Sequence, residues 1–325
     1  MKRRSALLGA MGFGAASLAG PLPLRAQPAG YPSRPIRMII PFPPGGGNDL
    51  MGRLVADRLT AQLGVPVTAD NRGGAGGLIG TEAATQAAPD GYSLLLGSIS
   101  TISINPNLQE RMSFDTIRDL APVSLFAETP SALVVPASLP ATTLPELIAL
   151  ARSQPGKLNF ASAGNGTSHH LGGELLKSLT KIDIVHVPYR GSGPAVTGLV
   201  AGDAQIMIAP IAAVLALVEA GQLRALGVTS AQRSPLLPQV PTIAETVPGY
   251  ELVLWYGIFA PARTPEPILD RLNAEMAKLA DSAEVRERLS KEGATAIRST
   301  RAELGDRARN DLQRWREIVR SLPPM

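Results

Sequence analysis

The sequence predicts an α/β fold with mainly parallel sheets flanked by helices, divided into two lobes with a cleft between them. Three observations carry that prediction. Strand-like apolar runs alternate with helix-like stretches along most of the 325 residues, the pattern of parallel sheets covered by helices. Two strand–glycine-loop–helix units recur about 120 residues apart, starting near residues 36 and 158. The chain is also long enough for two cores, at roughly 150 residues per domain. In open α/β sheets ligands sit beyond the carboxyl ends of strands, so two such units facing each other form a binding cleft.

The N-terminus reads as a removable leader. Lys2, Arg3 and Arg4 precede an apolar, Gly- and Ala-rich stretch over 6–19, too short to span a bilayer. Ala26 fits a cleavage point, although Leu24 is larger than the small residue preferred there. The pattern is a signal peptide over residues 1–26, with the general and twin-arginine routes both open. Removing it from 325 residues leaves 299. The leader holds four of the 31 Lys and Arg and none of the 27 Asp and Glu, so the remainder carries 27 of each. That balance gives no basic surplus for nucleic acid or an anionic membrane. No later apolar run approaches spanning length, so no membrane insertion of the mature chain is expected. The chain has no cysteine, which excludes thiol nucleophiles, thiolate metal sites and disulfides. At 4% aromatic residues it is also poorly equipped to stack bases or sugars.

The first unit opens with a strand over 36–40 and a helix over 49–63, with Leu50, Leu54, Val55 and Leu59 on one side and Gly64 ending it. A strand over 65–70, a short helix over 81–87, a Pro-Asp-Gly turn and a buried strand over 92–97 follow. Strands are expected over 123–126 and 132–135. The second unit begins at Thr143-Leu-Pro-Glu146, a capping box that opens a helix reaching about Ser153. A strand over 158–162, a Gly-rich loop over 163–167 and a helix from about His169 come next. Strands over 184–187, 204–208 and 223–228 alternate with helices. Residues 252–259 are strand-like. Leu304, Ala308, Leu312, Trp315, Val319 and Leu322 lie at helical spacing, which makes Trp315 a packing residue.

The sharpest functional feature is P-F-P-P-G-G-G-N-D over 41–49. Its prolines stiffen the loop, and its glycines let backbone approach a ligand. Asn48 is read as the N-cap of the following helix. Phe42, Pro44, Gly45, Gly46, Gly47 and Asn48 then form a cradle for a small anion at a helix N-terminus. Asp49 either complements the helix dipole or touches the ligand. Residues 162–170, S-A-G-N-G-T-S-H-H, mirror this cradle, with Ala163, Gly166, the Thr167 hydroxyl and His169 as candidate ligand contacts. His169 and His170 are adjacent and point to different sides of a helix, so they cannot jointly chelate; no metal and no cofactor are expected. Tyr189 supplies a wall and a hydroxyl. Arg190 is either a bidentate carboxylate clamp or an ion-pair partner. Trp255 and Tyr256 either cover a ligand or pack in the core. Ser98 and Ala209, at strand ends, complete the candidate set.

Competing motifs are weaker. Gly73–Gly80 contains G-x-G-x-x-x-G, but it does not follow the first strand, and the acid that follows, Asp90, sits in a turn. Its expected role is a turn lining the cleft or close helix packing. G-x-S-x-G and the Walker pattern are missing from the sequence.

Taken together, Y-P-S-R-P-I-R over 31–37, the 41–49 cradle, N-R-G-G-A-G-G-L-I-G over 71–80, A-A-P-D-G-Y-S-L-L-L-G over 87–97, S-A-G-N-G-T-S-H-H-L over 162–171 and V-P-Y-R-G over 187–191 resemble the Bug family, the solute receptors of tripartite tricarboxylate transporters. The resemblance covers essentially the whole chain after the leader. It implies a two-lobed periplasmic binding protein, with lobe 1 over 31–130 and 256–325 and lobe 2 over 131–255. It also implies a small carboxylate held by amides, hydroxyls and waters from residues 42–49 and 162–169, and membrane permease subunits as partners of a monomer. Family members often carry an acid in the strand matching 204–209. Here the strand reads Ala204, Gln205, Ile206, Met207, Ile208, Ala209, which favours a non-amino carboxylate, an aromatic or dicarboxylic acid among them. The rival reading is an exported hydrolase using Thr167 or Ser168 with His169. A third is a sensor that signals without transport.

Overall fold

The first strand, β1 (Ile36–Ile40), has four of its five residues buried, because helices cover both faces of the sheet it belongs to. The computed structural model describes residues 30–109 and 111–321; the leader over 1–26 lies outside them, as does Leu322. All elements below belong to one compact unit that begins at Pro32. β1 leads into α1 (Gly47–Leu63), then β2 (Val67–Asn71), α2 (Leu78–Thr85) and β3 (Ser93–Ser98). β1 pairs in parallel with β2 and β3. A π-helical turn (Ser100–Ile104) and the short α3 (Asn105–Leu108) follow.

The two strands expected over 123–126 and 132–135 are a single one, β4 (Leu120–Pro136), 17 residues long. The first part of β4 pairs antiparallel with β9 (Val253–Pro261), which also pairs antiparallel with β3. Its last residues, from Ser131, pair antiparallel with β7 (Ile206–Pro210) and β8 (Leu223–Val228) of a second sheet. The change of sheet falls at Pro130, which has no N–H to give to the ladder. The Ser131 amide donates to Thr229 Oγ1 at 3.0 Å, and the Leu252 amide donates to the Thr229 carbonyl at 2.9 Å. Both chain crossings are thus fastened to one residue.

The second sheet continues through α4 (Leu144–Ser153), β5 (Asn159–Ser162), α5 (Ser168–Thr180), β6 (Val185–Pro188), α6 (Ser192–Ala201) and α7 (Ile211–Glu219). β5 pairs in parallel with β6 and β7. Ala132, Val134, Ala161, Met207 and Val228 bury in one apolar cluster with residues of α6 and α7. Each sheet is therefore parallel on one side and antiparallel around β4, which pairs with β9 in the first sheet and with β7 and β8 in the second, a mixed pattern less parallel than the alternation of elements suggests. The chain closes with α8 (Glu266–Asp281), α9 (Ala283–Lys291), β10 (Thr295–Ala296), which pairs with β4, and α10 (Arg301–Ser321).

Local signals explain most boundaries. Gly64 caps α1 in the left-handed conformation. Thr143 caps α4 by accepting from the Glu146 amide, but the Glu146 carboxylate reaches the Thr142 amide instead of Thr143, so the reciprocal box is displaced by one residue. A complete box stands at Thr242 and Glu245. Trp315 is buried on α10, as its spacing predicts.

Candidate functional site

Residues 41–49 form a braced loop. Asp49 is buried and accepts from the Gly45 amide at 3.0 Å, Arg53 Nε at 2.9 Å and Asn71 Nδ2 at 2.9 Å. Burial opposes its charge, but these hydrogen bonds outweigh burial and hold its pKa below the usual carboxylate value. Asp49 thus props the loop from within, and the Gly45 amide is spent on it. The N-cap of α1 is Gly46, not Asn48 as the sequence suggests, and no side chain caps the helix. Its first-turn amides are left for a partner outside the helix. Asn48 lies within that turn, with Oδ1 buried and without a partner among the described residues. Pro44, Gly45, Gly46 and Gly47 are exposed, and Phe42 is half-buried with its carbonyl accepting from Asn71.

The first sheet supplies the wall beside this turn. Tyr256 on β9 pairs with Ser98 on β3. The Tyr256 hydroxyl lies 3.3 Å from the place a β-carbon on Gly47 would occupy. Ser98 is buried, and its Oγ has no partner among the described residues. Ser98, Tyr256, Gly47 and Asn48 therefore gather around the uncapped start of α1. Trp255 points to the opposite face, where its Nε1 donates to Asp311 Oδ2 of α10 at 2.7 Å; it is a core residue.

The second loop is braced differently. Thr167 is the N-cap of α5 and accepts from the His170 amide, while its hydroxyl donates to the Gly164 carbonyl at 2.7 Å. The hydroxyl expected to reach a ligand is thus committed within the loop. The Gly166 amide donates to His170 Nδ1 at 3.2 Å. Ala163 is half-buried. His169 is buried, and neither ring nitrogen has a partner among the described residues; burial lowers its pKa to about 4. His170 turns away and stacks on His186, ring centroids 3.9 Å apart.

Three expected residues stand elsewhere. Tyr189 packs on the apolar cluster of the second sheet, its ring against Gly198 of α6. Ala209 belongs to that cluster as well. Their side chains serve the core because the second sheet needs apolar cover on that face. Arg190 is exposed at the exit of β6.

The glycine run over 73–80 is a bridge between the two loops, and its close-packing role holds. A β-carbon on Gly80 would sit 2.7 Å from Pro41 Cα, and one on Gly77 3.2 Å from the Pro41 carbonyl. Asn105 Nδ2 donates to the Gly76 carbonyl. A β-carbon on Gly166 would lie 2.7 Å from Asn105 Oδ1. The chain of contacts runs from Pro41 through Gly77 and Gly76 to Asn105 and on to Gly166. Beside it opens a cavity of about 620 Å³, lined from one side by Gly76, Asn105 and Leu108 and from the other by Gly166, His170 and Glu174. Of the candidate ligand contacts named from the sequence, only Gly166 lines it, together with His170 and further residues of the 73–80 and 162–170 runs. Asn105 and Glu174 carried no motif; only their positions after folding reveal them.

Two sheets sharing β4, with glycine loops at helix N-termini, define the class: an α/β periplasmic binding protein fold. It matches the structure of Rpa4515 of R. palustris with adipate, at 34% identity and TM-score 0.83, over 90% of this chain and 98% of that one. It also matches MatC of Rhodopseudomonas palustris with bound malate, at 32% identity and TM-score 0.81, over 89% of this chain and 100% of that one. Protein BugT of Bordetella pertussis is 39% identical over 292 residues, 89% of this chain and 90% of BugT. Residues 51–323 match the model of the tripartite tricarboxylate transporter family receptor. The chain belongs to that family, the Bug receptors.

Proposed function

We propose that this protein is a periplasmic receptor that binds a small carboxylate and delivers it to the permease subunits of a tripartite transporter. The observation that carries the ligand class is the uncapped start of α1 beside Asn48 and Ser98, two polar side chains with an unpartnered buried atom each. Helix amides and a hydroxyl there present donors to an anion. The Asn48 amide can turn to offer its N–H. Relatives with adipate and malate agree with this reading.

The remaining parts of the proposal follow from it. Residues 1–26 are the export signal, removed before the chain acts. Lobe 1 comprises 31–130 and 256–325 and lobe 2 comprises 131–255, and they close on the acid. The protein binds and releases its ligand without turnover. Against a hydrolase stands the Thr167 hydroxyl, which is directed at the Gly164 carbonyl and not at His169.

Calorimetry of the mature chain against a panel of carboxylates, adipate and malate included, tests the proposal; at least one acid should bind near micromolar Kd. Gly46→Leu supplies the second arm. A β-carbon at Gly46 meets nothing within 4 Å and needs no left-handed backbone, so the variant should fold and yet obstruct the helix start. Unchanged affinity in a folded Gly46→Leu protein would move the site elsewhere.

A further inference from the structure

Tyr256 brings a side-chain donor to the uncapped start of α1 from a second direction. It stands on β9 opposite Ala127 of β4, while the next residue, Gly257, stands opposite Leu125, so Phe126 is the extra residue of a bulge. A bulge bends its strand and re-aims the side chains around it. Across the other edge of β9, Tyr256 faces Ser98 of β3, and directly opposed residues share one face of a sheet. Trp255, one residue earlier, takes the opposite face.

The phenol is enclosed but not satisfied. Tyr256 is only 3% exposed. Its hydroxyl makes no hydrogen bond among the described residues, and unlike Ser98 Oγ it is not sealed from solvent. Outside the 41–49 turn and α1 it is the one described atom within 4 Å of the place a β-carbon on Gly47 would occupy, at 3.3 Å. The space before Gly47 is thus otherwise open, and the hydroxyl borders it. A tyrosine hydroxyl at a buried position ordinarily finds a partner; here its open side meets the turn whose amides no side chain caps. Burial also pushes the phenol pKa above the ordinary tyrosine value, so the hydroxyl keeps its proton and can donate throughout the physiological range.

Two kinds of donor therefore converge on one spot. The first-turn amides point along the axis of α1, and the phenol comes from the sheet. A carboxylate has two oxygens and about four lone-pair sites, so donors from two directions can serve its two oxygens separately. We infer that Tyr256 is a ligand-contacting residue whose hydroxyl donates to one oxygen of the bound carboxylate while the first-turn amides of α1 hold the other. The inference rests on the receptor reading above and adds the residue from the sheet that completes the grip.

Tyr256→Phe keeps the ring and removes only the donor. Calorimetry of the mature chain with adipate, malate, succinate and benzoate reads the effect. Each of these acids that the unaltered protein binds should lose affinity by about tenfold or more, while the Tm of the ligand-free protein stays the same. Gly47→Ala supplies a second arm. That position needs no left-handed backbone, so the variant should fold, and its methyl presses on the hydroxyl. It should weaken binding with Tyr256 in place and cost little in the Tyr256→Phe background. Unchanged affinity in Tyr256→Phe, or equal Gly47→Ala losses in both backgrounds, overturns the inference and leaves the receptor reading intact. Should Tyr256→Phe not fold, unchanged affinity in Gly47→Ala alone overturns it. Failure of every acid, here and in the wider panel, to bind the unaltered protein overturns both.

Discussion

The side-chain amide of Asn71 lies 2.9 Å from Asp49 Oδ1 and 3.0 Å from the Phe42 carbonyl oxygen, so the end of β2 fastens the loop after β1 at two points. Asn71→Ala leaves both acceptors short of a donor. We expect a stability loss of about 1–3 kcal/mol and weaker carboxylate binding as the loop loosens, read by thermal unfolding and calorimetry. A lower Tm with unchanged Kd would separate this loop from the binding site. Asp49 adds a pH signature. Its folded pKa lies below the ordinary aspartate value, so its contribution is complete above that value and disappears as pH falls through the folded one.

The three histidines act in a higher window. His169, His170 and His186 are all held neutral by burial, with pKa values of about 4, about 3 and about 4 against an ordinary 6.5. Between 6.5 and those values the unfolded chain binds more protons than the folded one, so stability falls as pH drops through that range. Tm should be nearly flat above pH 7 and decline between pH 6.5 and 5. His186→Gln should make the decline shallower. A Tm unchanged from pH 7.5 to 5 would contradict the burial seen here.

Gly166 has a φ of +75°, and a methyl there would stand 2.7 Å from Asn105 Oδ1 and 3.3 Å from Leu108. The left-handed backbone alone costs a non-glycine residue about 1–2 kcal/mol. Gly166→Ala should destabilise by about 2 kcal/mol or more in a denaturant titration. A neutral result would mean that the two loops are not in contact in solution.

Asp311 joins α10 to the first sheet. Its Oδ2 accepts from Trp255 Nε1 at 2.7 Å and from Arg307 Nε at 2.8 Å, and Arg307 also pairs with Glu128 on β4 at 2.9 Å. Asp311→Ala leaves the indole N–H unpaired in the core and Arg307 with one partner. The expected loss is about 2–4 kcal/mol, with a change in tryptophan fluorescence. Asp311→Asn retains an acceptor for the indole and should lose less. Equal losses in the two variants would remove the hydrogen bond from the explanation.

What the sequence made legible is local in origin. The strand–loop–helix units are marked by neighbours in the chain: prolines after Ile40, glycines before α1, Thr167 before α5. The continuity of β4 was hidden because Ala127, Glu128, Thr129, Pro130 and Ser131 interrupt its apolar pattern, and its partners lie over 70 residues away in Met207 and Leu254. The choice of Gly46 over Asn48 as N-cap escaped notice because Asp49, folding back onto the Gly45 amide, sets the helix start. Trp255 and Tyr256 looked equivalent as neighbours; in a strand they must face opposite sides, and α10 claims only one. Glu174 and Lys177, three apart on a helix, look like an ordinary solvated pair until α5 packs on the second sheet and buries Glu174.

Because β4 serves both sheets, the molecule has no seam along which it can be divided. A fragment ending anywhere inside Leu120–Pro136 would strip a row of partners from one sheet or the other and leave bare, adhesive borders. Denaturant should therefore dismantle both halves in a single step. Any swing of one half against the other has to wind a hydrogen-bonded ribbon, and a wound ribbon springs back.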